Sequence, residues 1–172
     1  DQIFEIAKST PPKKIVVAAA ADEHALAAVK LAIESRIVSP VLVGDTEAIE
    51  RIAKKTGFPI NSAEIIDEKN AIEASKISVN LVRDKQVDIL MKGLVGTADL
   101  LRIVLNRETG IGRGVIMTHA AMIECPNYHK LLCVTDAGMN IAPGIKEKVE
   151  IVKNAVSIYK KLRLDIPKVA VL

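Results

Sequence analysis

A chain of 172 residues and 18.6 kDa is long enough for one good core or two small ones. Apolar residues make up 49% of it, enough buried surface to offset chain entropy, so a disordered chain is excluded. Aromatics at 2% leave no stacking platform for single-stranded nucleic acid, and a net charge of +3 is too small for a nucleic-acid binder, though it suits small anionic substrates. With no Trp, the core must be built from Ala, Val, Ile and Leu, which suits a parallel sheet covered by helices.

Residues 1–9 predict a short helix with Ile3, Phe4, Ile6 and Ala7 on one side, stopped by Pro11 and Pro12. Residues 14–19 read as a first strand. Asp22 stands where a helix N-cap belongs, and Ala25, Leu26, Val29, Ala32 and Ile33 form an apolar stripe behind it. A second strand at 40–43 turns through Gly44 and Asp45 into a helix ending near Lys55, and Gly57 and Pro59 close that unit. A third strand at 64–66 precedes a helix over 69–83; a fourth, buried strand at 87–91 precedes a helix that opens at Thr97. Short strands alternating with longer helices predict a right-handed, mostly parallel α/β sheet.

The pattern changes at Gly110-Ile-Gly-Arg-Gly114, read as a flexible break. Beyond it, long strands are expected at 115–123 and 128–135, joined by a turn at Cys125-Pro126-Asn127, so a β-hairpin starts a second lobe. A loop over 140–144 contains Pro143, a helix follows over 145–162, and a last strand is expected at 168–172. The expected division is therefore a first α/β lobe at 1–112 and the start of a second at 113–172. Because the chain stops inside an apolar run, the sequence reads as a fragment of a longer protein.

The stretch from Asp88 to Arg102 carries the most chemistry. Lys92 falls at the carboxyl end of a predicted strand, Gly93 and Gly96 make a turn after it, and Thr97 opens a helix whose N-terminal N–H groups are unpaired. Glycine admits close backbone approach, and Arg102, five residues into the helix, could reach a phosphate as a planar fork. The plainer reading is an ordinary strand–turn–helix with a solvated arginine. This is no Walker loop, which needs Gly-x-x-x-x-Gly-Lys-Ser/Thr, and no glycine stands in the first strand–helix turn (18–22), which disfavours a Rossmann dinucleotide site.

Taken singly, His119 and Asp136 read as structural residues. The run Val134-Thr-Asp-Ala-Gly-Met-Asn-Ile-Ala-Pro143 is more informative, since a strand there delivers Asp136 and Asn140 into a loop where a carboxylate and an amide could orient a substrate. His24 and the basic run at 160–163 read as surface. Cys125 and Cys133 match neither a zinc pair nor a redox Cys-x-x-Cys and are taken as reduced thiols of a cytoplasmic protein. No apolar run approaches the ~20 residues of a membrane span.

Ile15-Val-Val-Ala-Ala-Ala20, Pro40-Val-Leu-Val-Gly-Asp45, Asp88-Ile-Leu-Met-Lys-Gly-Leu-Val95, Thr97-Ala-Asp-Leu-Leu-Arg102, Thr118-His119, the run ending at Pro143 and Pro167-Lys-Val-Ala-Val-Leu172 together resemble, in order, the N-terminal part of the phosphate acetyl/butyryltransferase family, nearest its phosphate butyryltransferase branch. Thr118 stands where serine is common and Gly138 where alanine is common. The resemblance implies transfer of a short acyl group between coenzyme A and inorganic phosphate. It also implies two lobes of mostly parallel open sheets like those of isocitrate and isopropylmalate dehydrogenases, with the substrate cleft between them, and a homodimer. The resemblance implies no metal, no tightly bound cofactor and no covalent acyl-enzyme, with coenzyme A as a substrate. Lys92, Gly93, Gly96, Thr97 and Arg102, with Asn140, are then the expected substrate contacts, and His119 and Asp136 the expected catalytic residues. The family's main phosphate-binding arginine and base would lie beyond Leu172, so the 172 residues alone are expected to be inactive. A β-decarboxylating dehydrogenase, a non-catalytic coenzyme A- or nucleotide-binding module, and one half of a larger fusion stay open as alternatives.

Overall fold

The computed structural model describes residues 2–171. It divides into two compact units, Asp1–Arg113 and Gly114–Leu172. In the first, helix α1 (Gln2–Lys8) leads to strand β1 (Lys13–Ala18), followed by α2 (Glu23–Glu34), β2 (Val38–Gly44), α3 (Thr46–Thr56), a 3-10 turn (Ile60–Ser62), β3 (Glu64–Asp67), α4 (Ala71–Arg83), β4 (Ile89–Lys92) and α5 (Thr97–Val104). All strand pairings are parallel, in the order β3-β2-β1-β4.

The alternation of side chains along β1 sorts the core. Val17 faces α2 and α3 with Leu26, Val29, Leu42, Ile49 and Phe58, while Val16 and Ala18 face α4 and α5 with Ala74, Val79, Leu100 and Val104. Val16, Val17 and Ala18 are fully buried because β1 is paired on both edges and covered on both faces. Asp22 caps α2 as expected, its Oδ1 accepting from the Ala25 amide at 2.7 Å. Pro40 sits within β2, yet pairing with β3 begins only at Val41, so no ladder bond is lost on that side.

The fourth strand departs from expectation. It begins at Ile89 rather than Val87 and is not buried along its length: Val87 is buried, but Ile89 is 40% exposed. The cause is topological, since β4 pairs with β1 alone among the described residues. The expected flexible break at 110–114 also begins as a fitted turn. The Gly110 amide donates to Asn106 O (3.0 Å) and the Ile111 amide to Val104 O (2.9 Å), and a Cβ on Gly110 would sit 2.4 Å from Val104 O.

In the second unit, β5 (Ala121–Ile123) and β6 (Leu132–Val134) form an antiparallel pair, followed by α6 (Ile145–Lys161). The strands expected at 115–123 and 128–135 are thus three residues each. Side chains take over the backbone groups that longer ladders would have used. Asn140 Nδ2 donates to Met117 O (3.0 Å), Asn154 Nδ2 to Ile116 O (3.4 Å), Thr135 Oγ1 to His119 O (2.5 Å), and the His119 amide to Asp136 Oδ1 (3.0 Å). The turn at 125–128 is as expected, closed by Tyr128 N to Cys125 O at 3.0 Å.

The strand expected at 168–172 is not formed over 168–171, where Val169 (52%) and Val171 (64%) are exposed; Leu172, like Asp1 of the helix expected at 1–9, lies outside the described residues. A strand exists only where a neighbour takes up its N–H and C=O groups, and residues 168–171 are paired to none. No described helix is long and apolar enough to cross a membrane.

Candidate functional site

The carboxyl ends of β1 and β4 lie side by side where the chain reverses its direction of growth across the sheet, the place at which open α/β sheets hold ligands. The loop leaving β4 is drawn tightly onto the end of β1. Gly93 N donates to Ala18 O at 2.8 Å and Leu94 N to Ala19 O at 2.7 Å. A Cβ at Gly93 would stand 2.3 Å from Ala19 O, so glycine is required here for backbone to meet backbone rather than to meet a ligand. Ala19 itself holds a left-handed φ of 54°, strain that these contacts stabilise.

Lys92, the last residue of β4, bends its ammonium over the same loop, donating to Gly93 O and Val95 O at 3.2 Å each. One of its three N–H donors stays available. Gly96 then caps α5, with Thr97 as the first helical residue. Gly96 has an ordinary negative φ; what needs the missing side chain is Asp99, whose Oδ2 would be 2.9 Å from a Cβ at that position. The other carboxylate oxygen of Asp99 accepts from Arg102 Nη1 at 2.9 Å, and the Arg102 side chain is 76% exposed. Lys92, Gly93, Gly96, Thr97 and Arg102 thus share one corner of the first unit. The sequence places Asp99 beside Thr97 in the first turn of this helix; its pairing with Arg102 was not read there, although the three-residue spacing was a visible signal.

His119, Asp136 and Asn140 lie together in the second unit. Continuing the register of β5 and β6 by two positions sets His119 opposite Asp136, and there the aspartate side chain replaces the main chain in bonding the His119 amide. Asp136 Oδ1 also accepts from the Met139 amide at 3.4 Å, and its Oδ2 from the Asn140 amide group. Burial alone would push the Asp136 carboxyl up, but the bonds from Asn140, His119 and Met139 outweigh it and hold it below the usual carboxylate range. A carboxylate so occupied stays ionised and orders the loop around it. Two further residues support this cluster without any warning in the sequence: Thr135, bonded to His119 O, and Asn154, which reaches Thr118 Oγ1 at 3.2 Å from the middle of α6. Among the described residues, no group of three or more His, Cys, Asp or Glu side chains could hold a metal ion.

The profile of the family described as phosphate acetyl/butaryl transferase matches residues 1–78 and 68–172. The phosphate butyryltransferase of Clostridium beijerinckii is 41% identical over 170 residues, covering 99% of this chain and 56% of that protein. That of Clostridium acetobutylicum matches at the same identity and coverage. The crystal structure of a branched-chain phosphotransacylase from Enterococcus faecalis V583 superposes with a TM-score of 0.73 at 28% identity, over 88% of this chain and 52% of that one. The chain spans about half the length of the relatives it matches.

Proposed function

The chain belongs to the phosphate acetyl/butaryl transferase family, and on that premise we propose that the complete protein carrying it transfers a short acyl group between coenzyme A and inorganic phosphate. The observation that carries this reading is the 41% identity to a phosphate butyryltransferase over 99% of the chain. The dehydrogenase and binding-module alternatives have no observation in their favour, since the relatives named above are transferases.

The chemistry suits a protein that positions rather than attacks. Phosphate is already a nucleophile, and a thiolate is a fair leaving group, a free thiol having a pKa of roughly 8.5. The protein must hold two anions in register and stabilise the oxyanion that forms at the acyl carbon. In this reading the third donor of Lys92, the N–H groups opening α5 at Thr97 and the exposed fork of Arg102 contact phosphate or coenzyme A, with Gly93 and Gly96 shaping the turn. His119, Asp136 and Asn140 serve from the second unit, where Asp136 orders the loop that presents its neighbours. Coenzyme A is a substrate, with no bound cofactor required. Lobes at 1–112 and 113–172, a likeness to isocitrate and isopropylmalate dehydrogenases, a homodimer and a cytoplasmic location complete the reading. It is supported by the family and by the free thiols of Cys125 and Cys133.

The test mixes the complete protein, butyryl-CoA and phosphate, and follows coenzyme A release with a thiol reagent. Phosphate-dependent release is expected. Its absence with every short acyl-CoA would overturn the transferase reading.

A further inference from the structure

We propose that Asp99 is a positioning residue for the transfer reaction: it sets the guanidinium of Arg102 at the opening of α5, where the anionic substrate is gripped. The inference rests on the reading that Arg102 contacts that substrate.

An arginine on an exposed helix face samples many rotamers, and ordering it costs free energy at the moment of binding. Here the ordering is built in. Asp99 lies in the first turn of α5 and Arg102 one turn later, so their 2.9 Å bond draws the guanidinium back toward the helix N-terminus and the loop that follows Lys92. The bond uses Nη1, and the side chain remains 76% exposed, so much of the planar fork still faces solvent.

Gly96 bears on the same arrangement. With a Cβ there, the outer oxygen of Asp99 would meet it at 2.9 Å, and the carboxylate would have to leave the place from which it holds Arg102. The other i,i+3 pairs of the described residues, Glu5–Lys8, Glu73–Lys76 and Glu150–Lys153, join long, flexible lysines to glutamates. Among the described residues, only at 96–102 does a short carboxylate, seated over a glycine, hold a planar cation one turn into the helix that follows a strand of the parallel sheet. The pair adds little to stability, as exposed pairs do, so its loss is readable in kinetics without the fold being disturbed.

The test compares the complete wild-type protein with Asp99→Asn, Arg102→Ala and the double variant, each first shown to keep its melting temperature. The Michaelis constants for phosphate and butyryl-CoA and kcat are then measured. Asp99→Asn is expected to raise one Michaelis constant about two- to five-fold, the size of an exposed charge pair's coupling, with kcat changed less. It should have no further effect once Arg102 is gone, and Asp99→Glu should recover part of the loss. A wild-type Michaelis constant for Asp99→Asn beside a raised one for Arg102→Ala overturns the proposal alone, as do fully additive effects in the double variant. Wild-type constants for Arg102→Ala overturn both the proposal and the site reading beneath it.

Discussion

Gly93 shows how one residue type serves an end other than the one it suggests. In sequence it marks a place where backbone could approach a ligand; in the fold the approach is to Ala18 and Ala19. Gly93→Ala must push β1 and β4 apart at their ends, and a backbone clash does not relax as a flexible side chain would. A loss of about 1–3 kcal/mol is expected, read as a lower urea midpoint at unchanged slope. Asp136 makes the converse case, for its surroundings declare the role that its identity left open. Its folded pKa is depressed, so its contribution to stability is fully present above the ordinary carboxylate value of about 3.9 and is lost as pH falls through the depressed value. Asp136→Asn should therefore flatten that acid limb in thermal unfolding measured against pH. A limb identical to wild type would show that the carboxylate contributes nothing there.

Helix ends repeat one device. After α2, Arg36 N bonds Ile33 O and Ile37 N bonds Ala32 O; after α4, Lys85 N bonds Val82 O and Gln86 N bonds Leu81 O; after α6, Arg163 N bonds Lys160 O and Leu164 N bonds Tyr159 O. These are Schellman endings, and each requires a left-handed residue, with φ of 59°, 57° and 54° at Arg36, Lys85 and Arg163. Only α3 places glycine there, Gly57 at φ 66°. A side chain in that conformation costs roughly 1–2 kcal/mol, partly offset because glycine gives up more freedom on folding. Lys85→Gly is thus expected to raise stability by about 0.5–1 kcal/mol and Gly57→Ala to lower it by about 1 kcal/mol, both checked by urea unfolding. The helices themselves were legible from apolar spacing and caps. So were the approximate ends of α3, α4 and α6, but not the left-handed form of the ending where Arg36, Lys85 or Arg163 stands in the place that the motif favours for glycine.

At the scale of the molecule, the proposed grip of cationic Lys92 and Arg102 on anionic substrates predicts salt dependence. The Michaelis constants of the complete protein should rise with ionic strength while kcat holds, and salt-independent constants would deny the charged corner its part. Composition and periodicity were enough to read a parallel α/β sheet, the cap at Asp22, the turn into a helix at Asp45, and the strand–turn–helix from Asp88 to Arg102, because those features depend on neighbours within a few residues. Motif order along the chain was enough to suggest the family. What the tertiary structure alone decided is which distant groups a residue meets: that Gly93 faces a strand, that Asp136 takes the His119 amide, and that the hairpin strands shorten to β5 and β6. Strand pairing and side-chain reach join residues distant in the chain, as Thr118 to Asn154 and His119 to Asp136, and no local pattern encodes where such partners will stand.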